Sequence, residues 1–446
     1  MPSRKHRPRV AILSFVLAIF VVMGPFYFMF YQPQPLNFNT TTKPTWTGII
    51  SFWDLPNFDS KKGTNFGWIN EKIKQFERKN PGVFIDFNPI ASENGSEFIE
   101  ESIKNGEAPD IVPIGIDTNI LTKGNFVPLN EHLPTNELKR FNERIINALT
   151  VENEVLALPW MVTTYTMMIN MELFRERGVK PPEDGNWTYD EFIATSRQLT
   201  YDSRGGDKID HFGFHSFIEP GYYNMWGILL SDGADIFDEN QNYVFTGKEA
   251  ISGVQKVIDL KHAHGITPES FGEDNAAAAW TRFLKKQDVA VYPVGLWGVN
   301  ALEQLNNQGE GFEYRTANFP IGNGSTPVIM TSGIGAYAIT QQEDPEKLKM
   351  CLEFIKFLTD DSHQEELHRL GAFPVKNDID NIYENQIYMS NIQAQLDNIK
   401  IINPHPRWKE IDTIIQEEIK KGILEKKNAE QVVNDAYTEI KQILKN

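Results

Sequence analysis

The apolar positions of the chain follow two different spacings. Some form short runs with the length of strands, as at residues 111–116, 155–158 and 289–292. Others recur every three or four positions, which is the spacing of one helix face. The clearest helical examples are Ile69, Ile73 and Phe76, then Leu352, Ile355 and Leu358, and finally two runs on either side of Gly422 between residues 408 and 444. Because strands and amphipathic helices alternate, the pattern predicts an α/β fold with parallel, doubly wound sheets, and two helices at the C-terminus.

One segment near the middle of the chain has a different pattern. Residues 154–174 place Pro159 and Trp160 between two apolar runs of strand length. This arrangement is typical of a chain that leaves one sheet and enters another. We therefore expect Trp160 to lie at a crossover between two lobes.

The first 31 residues resemble a targeting segment. Four basic residues precede an uncharged apolar run over residues 10–31, and these are Arg4, Lys5, Arg7 and Arg9. About 20 apolar residues span a bilayer as a helix, and a basic flank stays in the cytoplasm. The run therefore predicts an uncleaved signal-anchor helix. A cleaved signal peptide is the alternative, because Pro25 would break the helix, although no A-x-A cleavage pattern follows the run.

Length and composition indicate how the rest of the chain is organised. Residues 32–45 contain three prolines with several Asn and Thr residues, which predicts an extended tether. The folded body is expected to begin near Trp46. Since 446 residues exceed what one hydrophobic core usually supports, two α/β lobes are expected.

Charge and cysteine content exclude several classes of protein. The formal net charge is −17 at pH 7, and no basic tract occurs after the first nine residues, which argues against nucleic-acid binding. The single cysteine, Cys351, excludes a disulfide within the chain and a Cys-rich metal cluster. Its apolar neighbours recur at helical spacing, so we expect a buried thiol.

The sequence contains no motif for a cofactor, a metal ion or a catalytic nucleophile. Asp238, Asn240 and Asn242 match ligand positions of a calcium loop, but Tyr243 stands where that loop needs glycine, so a β-hairpin turn is the better interpretation. The histidine pairs at 262/264 and 363/368 have spacings that do not suit a shared metal, and we expect them at the surface. No cofactor and no metal site are expected.

A series of short motifs occurs in an order that resembles one family. The motifs are residues 49–53, 76–83, 108–112, 127–130, 288–292, 295–297, 332–335 and 352–359. Together with residues 154–174, this succession closely resembles the family 1 extracellular solute-binding proteins of ABC importers. These proteins are maltose-binding-protein-like and mostly carry sugars and oligosaccharides. The order of the motifs carries the resemblance, since each motif alone is short.

The resemblance implies a fold, a function and partners. The fold would be a two-lobed periplasmic-binding-protein-like α/β fold with discontinuous lobes. The first lobe would comprise residues 46–160 and 330–378, and the second residues 161–329 and 379–446, with an inter-lobe ligand cleft. The protein would be a receptor and not an enzyme. It would close on a carbohydrate ligand and deliver it to an ABC permease at the outer face of the cell membrane.

Alternatives to this function and location stay open. A membrane-held carbohydrate-active enzyme would use two carboxylates in the cleft, and 60 acidic residues never exclude such a pair. A sugar sensor would pass its signal to a membrane partner. If the N-terminal segment is cleaved, the protein would be secreted. Met167 and Met168 stand where relatives often have tyrosines, so the identity of the sugar is not predicted.

Aromatic side chains are the first candidates for ligand contacts. A saccharide presents an apolar ring face, and Trp offers a large rigid platform for it. Four tryptophans fall at predicted strand ends or in turn-like contexts, namely Trp53, Trp160, Trp226 and Trp297. Packing in a core is the alternative for each. The resemblance favours Trp297, because in relatives the residue after the corresponding strand stacks on ligand.

The remaining candidates are polar, small or near the C-terminus. Asp117 follows a predicted strand where related proteins place an acid that binds sugar hydroxyls, and helix capping is its alternative role. Thr163 and Tyr165 follow the crossover and would donate into the cleft. Gly333 would allow close approach of the ligand to the backbone. Trp408 would close the site from the second lobe.

Overall fold

The structure is a computed structural model that describes residues 46–90, 95–115, 118–206, 208–238, 240–402 and 405–445. The strands are β1 (Gly48–Asp54), β2 (Val83–Pro89), β3 (Ile111–Ile114), β4 (Thr150–Val151), β5 (Glu154–Val155), β6 (Leu158–Asn170), β7 (Phe212–Phe214), β8 (Val289–Gly295), β9 (Tyr314–Ala317), β10 (Ile329–Ile339) and β11 (Ile399–Lys400).

The helices include several of a single turn. They are α1 (Gly67–Lys79), α2 (Gly95–Asn105), α3 (Thr135–Leu138), α4 (Glu143–Ala148), α5 (Met171–Glu176), α6 (Tyr189–Gln198), α7 (Trp226–Leu229), α8 (Gly247–His262), α9 (Ala276–Thr281), α10 (Leu296–Gln308), α11 (Pro345–Leu358), α12 (Asp361–Gln364), α13 (Ile387–Gln393), α14 (Trp408–Ile423) and α15 (Ala429–Ile443). The predicted pair of C-terminal helices is confirmed, with the break after Ile423.

Nine of the described strands form one mixed sheet. Its path is β2-β1-β3-β10-β6-β8-β7, while β11 pairs with β10 and β9 with β6. The strands at the two ends pair in parallel, β1 with β2 and β3, and β7 with β8. Strands and helices alternate along the chain, so the predicted α/β class is confirmed.

The expectation of purely parallel sheets is wrong at the centre of the molecule. Strand β6 has 13 residues and β10 has 11, and they run antiparallel to each other. The first part of β6 pairs with β10 as far as Thr164, and the part from Tyr165 pairs with β8. Strand β6 leads the chain from the part of the sheet around β10 to the part around β8, and β10 runs beside it in the opposite direction. The pairing partner changes after Thr164, not at Trp160.

Side chains at helix ends explain where several helices begin. Thr188 accepts the backbone N–H of Glu191, whose carboxylate accepts the N–H of Thr188, so α6 starts with a capping box. Asp344 caps α11, in which Pro345 takes the first position, where its missing N–H costs nothing. These local signals position the helices around the sheet.

The apolar side chains pack into two clusters. The first contains Phe52, Trp160, Tyr337 and Phe354, and the second contains Phe174, Trp226, Phe245 and Ile419. Tyr292 of β8 also belongs to the first cluster. The boundaries of the two lobes stay a prediction.

Three expectations about individual residues have an outcome in this packing. Cys351 is fully buried, as predicted, and burial raises the pKa of its thiol to about 12. Asp238 and Asn242 lie in a hairpin turn closed by pairing of Phe237 with Tyr243, as predicted. The expected surface position is wrong for His363, which is buried and donates from Nδ1 to the Phe357 carbonyl at 2.6 Å.

Within the part of the chain that the structure describes, no helix is both long and apolar enough to span a bilayer. The predicted signal-anchor over residues 1–31 and the tether over residues 32–45 lie outside the described residues.

Candidate ligand-binding cavity

A cavity of about 480 Å³ opens where the ends of several strands meet one helix. This volume suits a small ligand. Its wall consists of Asp54, Leu55, Pro56, Asn57, Phe58, Asn65, Ser96, Pro113, Ile114, Gly115, Trp160, Met161, Thr163, Trp297, Asn300, Ala301, Gln304, Ser332, Gly333, Ile334, Gly335, Ala336 and Leu370.

The fold brings this wall together from distant parts of the sequence. Strands β1 and β3 are parallel, so their carboxyl ends lie at one edge of the sheet, where ligands bind in α/β folds. The long strands β6 and β10 pass beside this edge, and α10 begins at the end of β8. The cavity therefore adjoins the two strands that lead the chain across the molecule.

Helix α10 presents four residues to the cavity. Trp297, Asn300, Ala301 and Gln304 have helix spacings of i, i+3, i+4 and i+7, which place them on one face. Trp297 is 52% exposed although its ring makes an edge contact with Trp280, with centroids 5.1 Å apart. Asn300 donates to the carbonyl of Leu370 at 2.7 Å, which holds α10 against the segment that contains Leu370.

Trp160 lines the cavity, but both faces of its ring are covered. It stacks on Trp68 with centroids 4.9 Å apart and on Tyr337 with centroids 5.8 Å apart. The stacking role expected for Trp160 does not fit this position, because no ring face is left for a ligand. Its indole nitrogen lies 2.9 Å from where a Cβ on Gly335 would stand, so glycine is required there.

A small hydrogen-bond network joins β6 to β10 beside the cavity. Ser332 donates to the Thr163 hydroxyl at 2.8 Å, and Thr163 donates to the Gly333 carbonyl at 3.3 Å. The pairing of the two strands shifts by a residue between Thr331 and Gly333. Thr163, Ser332 and Gly333, which lie at this irregularity, all line the cavity.

Asp54 is the only ionisable residue in the described wall. It is 3% exposed, and its Oδ1 accepts the backbone N–H of Leu55 at 2.9 Å. The Tyr337 hydroxyl lies beside the carboxyl group as its second neighbouring donor. Burial disfavours the charged form and raises the pKa of Asp54 to about 7.

The structure brings four of the nine predicted site residues to the cavity, namely Trp160, Thr163, Trp297 and Gly333. It does not bring Trp53, Tyr165, Trp226 or Trp408 there. Trp53 stacks on Phe98, and Trp226 is fully buried in the second cluster. Asp117 lies outside the described residues.

Tyr165 and Trp408 belong to a buried polar contact instead. The Tyr165 hydroxyl accepts the backbone N–H of Tyr223 at 3.1 Å, and the Trp408 indole donates to the Tyr223 hydroxyl at 2.7 Å. These contacts satisfy polar groups inside the second cluster.

Sequence reasoning missed Asp54, Asn57, Asn300 and Gln304. The helix spacing from Trp297 to Gln304 was a signal that would have found the two residues on α10. Asp54 stands at the end of a predicted strand, next to Trp53. Among the described residues, no group of three or more His, Cys, Asp or Glu side chains is arranged to hold a metal ion.

Comparison with known proteins identifies the family of this chain. Residues 60–365 match the family of bacterial extracellular solute-binding proteins. The chain belongs to that family. A crystal structure of a cyclic alpha-maltosyl-1,6-maltose binding protein from Arthrobacter globiformis has the same fold, with a TM-score of 0.76 at 17% identity over 90% of this chain and 100% of that one. The predicted two-lobed architecture is thereby confirmed.

Two sequence relatives support the same family. A putative binding protein of Brucella abortus is 23% identical over 408 residues, which cover 88% of this chain and 92% of that protein. An arabinooligosaccharide-binding protein of Halalkalibacterium halodurans is 24% identical over 193 residues, or 43% of this chain and 41% of that protein.

Proposed function

We propose that the protein is the receptor of an ABC importer, which binds a sugar or oligosaccharide in the cavity and delivers it to a membrane permease. The observation that carries the proposal is the composition of the cavity wall. It places the half-exposed Trp297 among uncharged polar side chains, which are Asn57, Thr163, Asn300, Gln304 and Ser332.

This combination matches the chemistry of a saccharide. An indole ring packs against the C–H face of a sugar, while amide and hydroxyl groups bind the hydroxyls around its edge. The relatives that bind arabinooligosaccharides and a cyclic maltosyl-maltose support an oligosaccharide as the ligand class. The family supports delivery to a permease.

A receptor fits this wall better than a carbohydrate-active enzyme does. Glycoside hydrolysis generally needs two carboxyl groups on either side of the scissile bond. The described wall contributes one, Asp54. We therefore favour binding and release of an unchanged ligand.

The location of the receptor is part of the proposal. The charge-free run over residues 10–31 behind four basic residues supports an anchor in the cell membrane, with residues 32–45 as a tether. The mature protein is then expected to start at or near Met1 and to sediment with membranes. A mature chain beginning between residues 24 and 46, found in the culture medium, would favour secretion instead.

Thermal unfolding in the presence of saccharides tests the binding function. A ligand that binds only the folded protein stabilises it by about 2.7 kcal/mol at a concentration of 100 times its Kd. We expect at least one neutral oligosaccharide to raise the unfolding temperature of the full-length protein. A panel of starch-, arabinan-, xylan- and cellulose-derived oligosaccharides that leaves the temperature unchanged contradicts the proposal.

A further inference from the structure

The described cavity wall contains one acidic side chain and no cation. Asp54 comes from the end of β1, and the described wall contains no lysine, arginine or histidine. The residues that β6 and α10 contribute are all uncharged, namely Trp160, Met161, Thr163, Trp297, Asn300, Ala301 and Gln304. A ligand in this cavity therefore meets at most one protein charge in the described wall, and that charge is negative.

The surroundings of Asp54 leave its carboxyl group incompletely satisfied. An ionised carboxylate accepts about four hydrogen bonds, and Asp54 has two donors beside it, the backbone N–H of Leu55 and the Tyr337 hydroxyl. The titratable group beside it is the Tyr337 hydroxyl of β10, and no cation contributes to its pKa. Buried carboxylates are otherwise paired or fully hydrogen-bonded. The missing partner is a donor that a ligand can supply.

We propose that this cavity selects neutral and amino sugars and rejects saccharides that carry a carboxylate or a phosphate. The selection rests on Asp54, which accepts a hydrogen bond from a ligand hydroxyl or pairs with a ligand ammonium group. This inference rests on the proposed function, because it assigns the ligand class of the same cavity.

The electrostatics favour each part of this selection. An ammonium group beside a carboxylate forms a charge-assisted hydrogen bond, which is about twice as strong as a neutral one. A ligand carboxylate placed near ionised Asp54 would add a second unpaired negative charge to a partly buried site. When Asp54 is protonated before an amino sugar binds, its proton leaves to solvent and the carboxylate remains beside the ammonium group.

A competition experiment tests the selection directly. The full-length protein is incubated with an equimolar pool of di- and trisaccharides from cellulose, starch, arabinan, de-acetylated chitin and pectin, and the bound species are identified by native mass spectrometry. We expect neutral or glucosamine-containing species to be bound. At pH 8, where Asp54 is mostly ionised, galacturonate oligomers are expected to be bound about tenfold more weakly or not at all.

Two variants assign the effect to Asp54. Asp54→Asn keeps the shape of the side chain and removes its charge, so the preference for neutral over galacturonate species should fall by about tenfold. Asp86→Asn is the matched control, because Asp86 is an exposed acid on the neighbouring strand β2 and lies outside the cavity wall. It should leave the preference unchanged.

The pH dependence of the wild-type protein provides a test without any variant. Between pH 5.5 and 8 the protonated fraction of a group with a pKa of about 7 falls about tenfold. Because a galacturonate carboxylate stays ionised over this range, the affinity for digalacturonate should fall by about the same factor relative to the affinity for a neutral disaccharide.

The outcomes separate this inference from the proposed function. Capture of galacturonate oligomers on a par with neutral ones at pH 8, or an affinity for digalacturonate that does not fall as pH rises, overturns the selection but leaves a sugar receptor. Failure to capture any saccharide overturns the proposed function and the selection together.

Discussion

At the scale of single residues, we expect Trp297 to be the side chain on which the affinity for ligand depends most. Its ring is half-exposed at the cavity while Trp280 supports it from one side. Trp297→Ala is expected to weaken saccharide binding by about 2 kcal/mol, as for a buried aromatic anchor. Calorimetry with the identified sugar measures this. Trp53→Ala is the control, because Trp53 stacks on Phe98 and is not part of the cavity wall. An equal loss in both variants would argue against a specific contact at Trp297.

Asp54 should make the protein less stable as pH rises. Its folded pKa is about 7, above the ordinary value of 3.8, so the folded protein binds more protons than the unfolded chain between pH 4 and 7. The free energy of unfolding therefore falls across this range and then levels off. Asp54→Asn removes this loss and should stabilise the ligand-free protein by on the order of 4 kcal/mol at pH 8, with little effect near pH 4.

Urea denaturation at pH 4.5 and pH 8 checks this expectation. Asp412 provides a comparison, because burial raises its pKa to about 6. The stability that protonated Asp412 contributes should therefore be lost over a lower range of pH than the contribution of Asp54. If Asp54→Asn changes the stability equally at both pH values, the carboxyl group is not held in a desolvated position.

Asp54 and its neighbour Trp53 show what the sequence can and cannot reveal about single residues. Side chains on a strand alternate between its faces, so Phe52 and Asp54 point one way and Trp53 points the other. Trp53 looked suitable because of its chemistry, but alternation turns it toward Phe98. Trp226 and Trp408 also resemble sugar platforms in composition. Their burial depends on packing partners far away in sequence, which a local pattern does not contain.

At the scale of elements, the cavity wall depends on a buried ion pair beside it. Arg369 donates from Nε to Asp59 at 3.2 Å and from Nη1 to Glu366 at 2.7 Å, and Glu366 also pairs with Lys72 at 2.9 Å. Asp59 is fully buried and Arg369 nearly so. Phe58 and Leu370, which adjoin this pair in sequence, line the cavity. The pair therefore fixes two segments of the wall.

Arg369→Met should destabilise the fold by about 3–5 kcal/mol, because it leaves the buried Asp59 without its cation. Arg140→Met is the control, since Arg140 pairs with Asp361 and Asp378 at the surface and should cost less than about 1 kcal/mol. Chemical denaturation of both variants measures the difference. Similar small losses would show that Asp59 finds another donor.

Elements were predicted well where their signals are local. The helical spacing around Leu352 and Ile355 and the two runs near Gly422 correspond to α11, α14 and α15. The antiparallel pairing of β6 and β10 was not predicted, because it joins residues more than 160 positions apart, such as Thr164 and Thr331. No local pattern encodes the direction in which such distant strands meet.

At the scale of the whole molecule, the order of short motifs was enough to predict the two-lobed fold and the family. Strands β6 and β10 both pass beside the cavity, so a hinge closure around a ligand would be expected to bend these two strands. We expect the lobes to close on a ligand and reduce the radius of gyration. Small-angle scattering with and without a saturating saccharide measures this. Superimposable curves would indicate a rigid site.

The central claim is that this cavity binds a saccharide and releases it unchanged. Calorimetric titration of the full-length protein with the saccharide that stabilises it, followed by chromatography of the recovered sugar, tests the claim most directly. We expect saturable binding at one site, binding weakened in Trp297→Ala, and complete recovery of the intact sugar. Shortened or transferred sugar products, or binding that is the same in Trp297→Ala, would contradict the account.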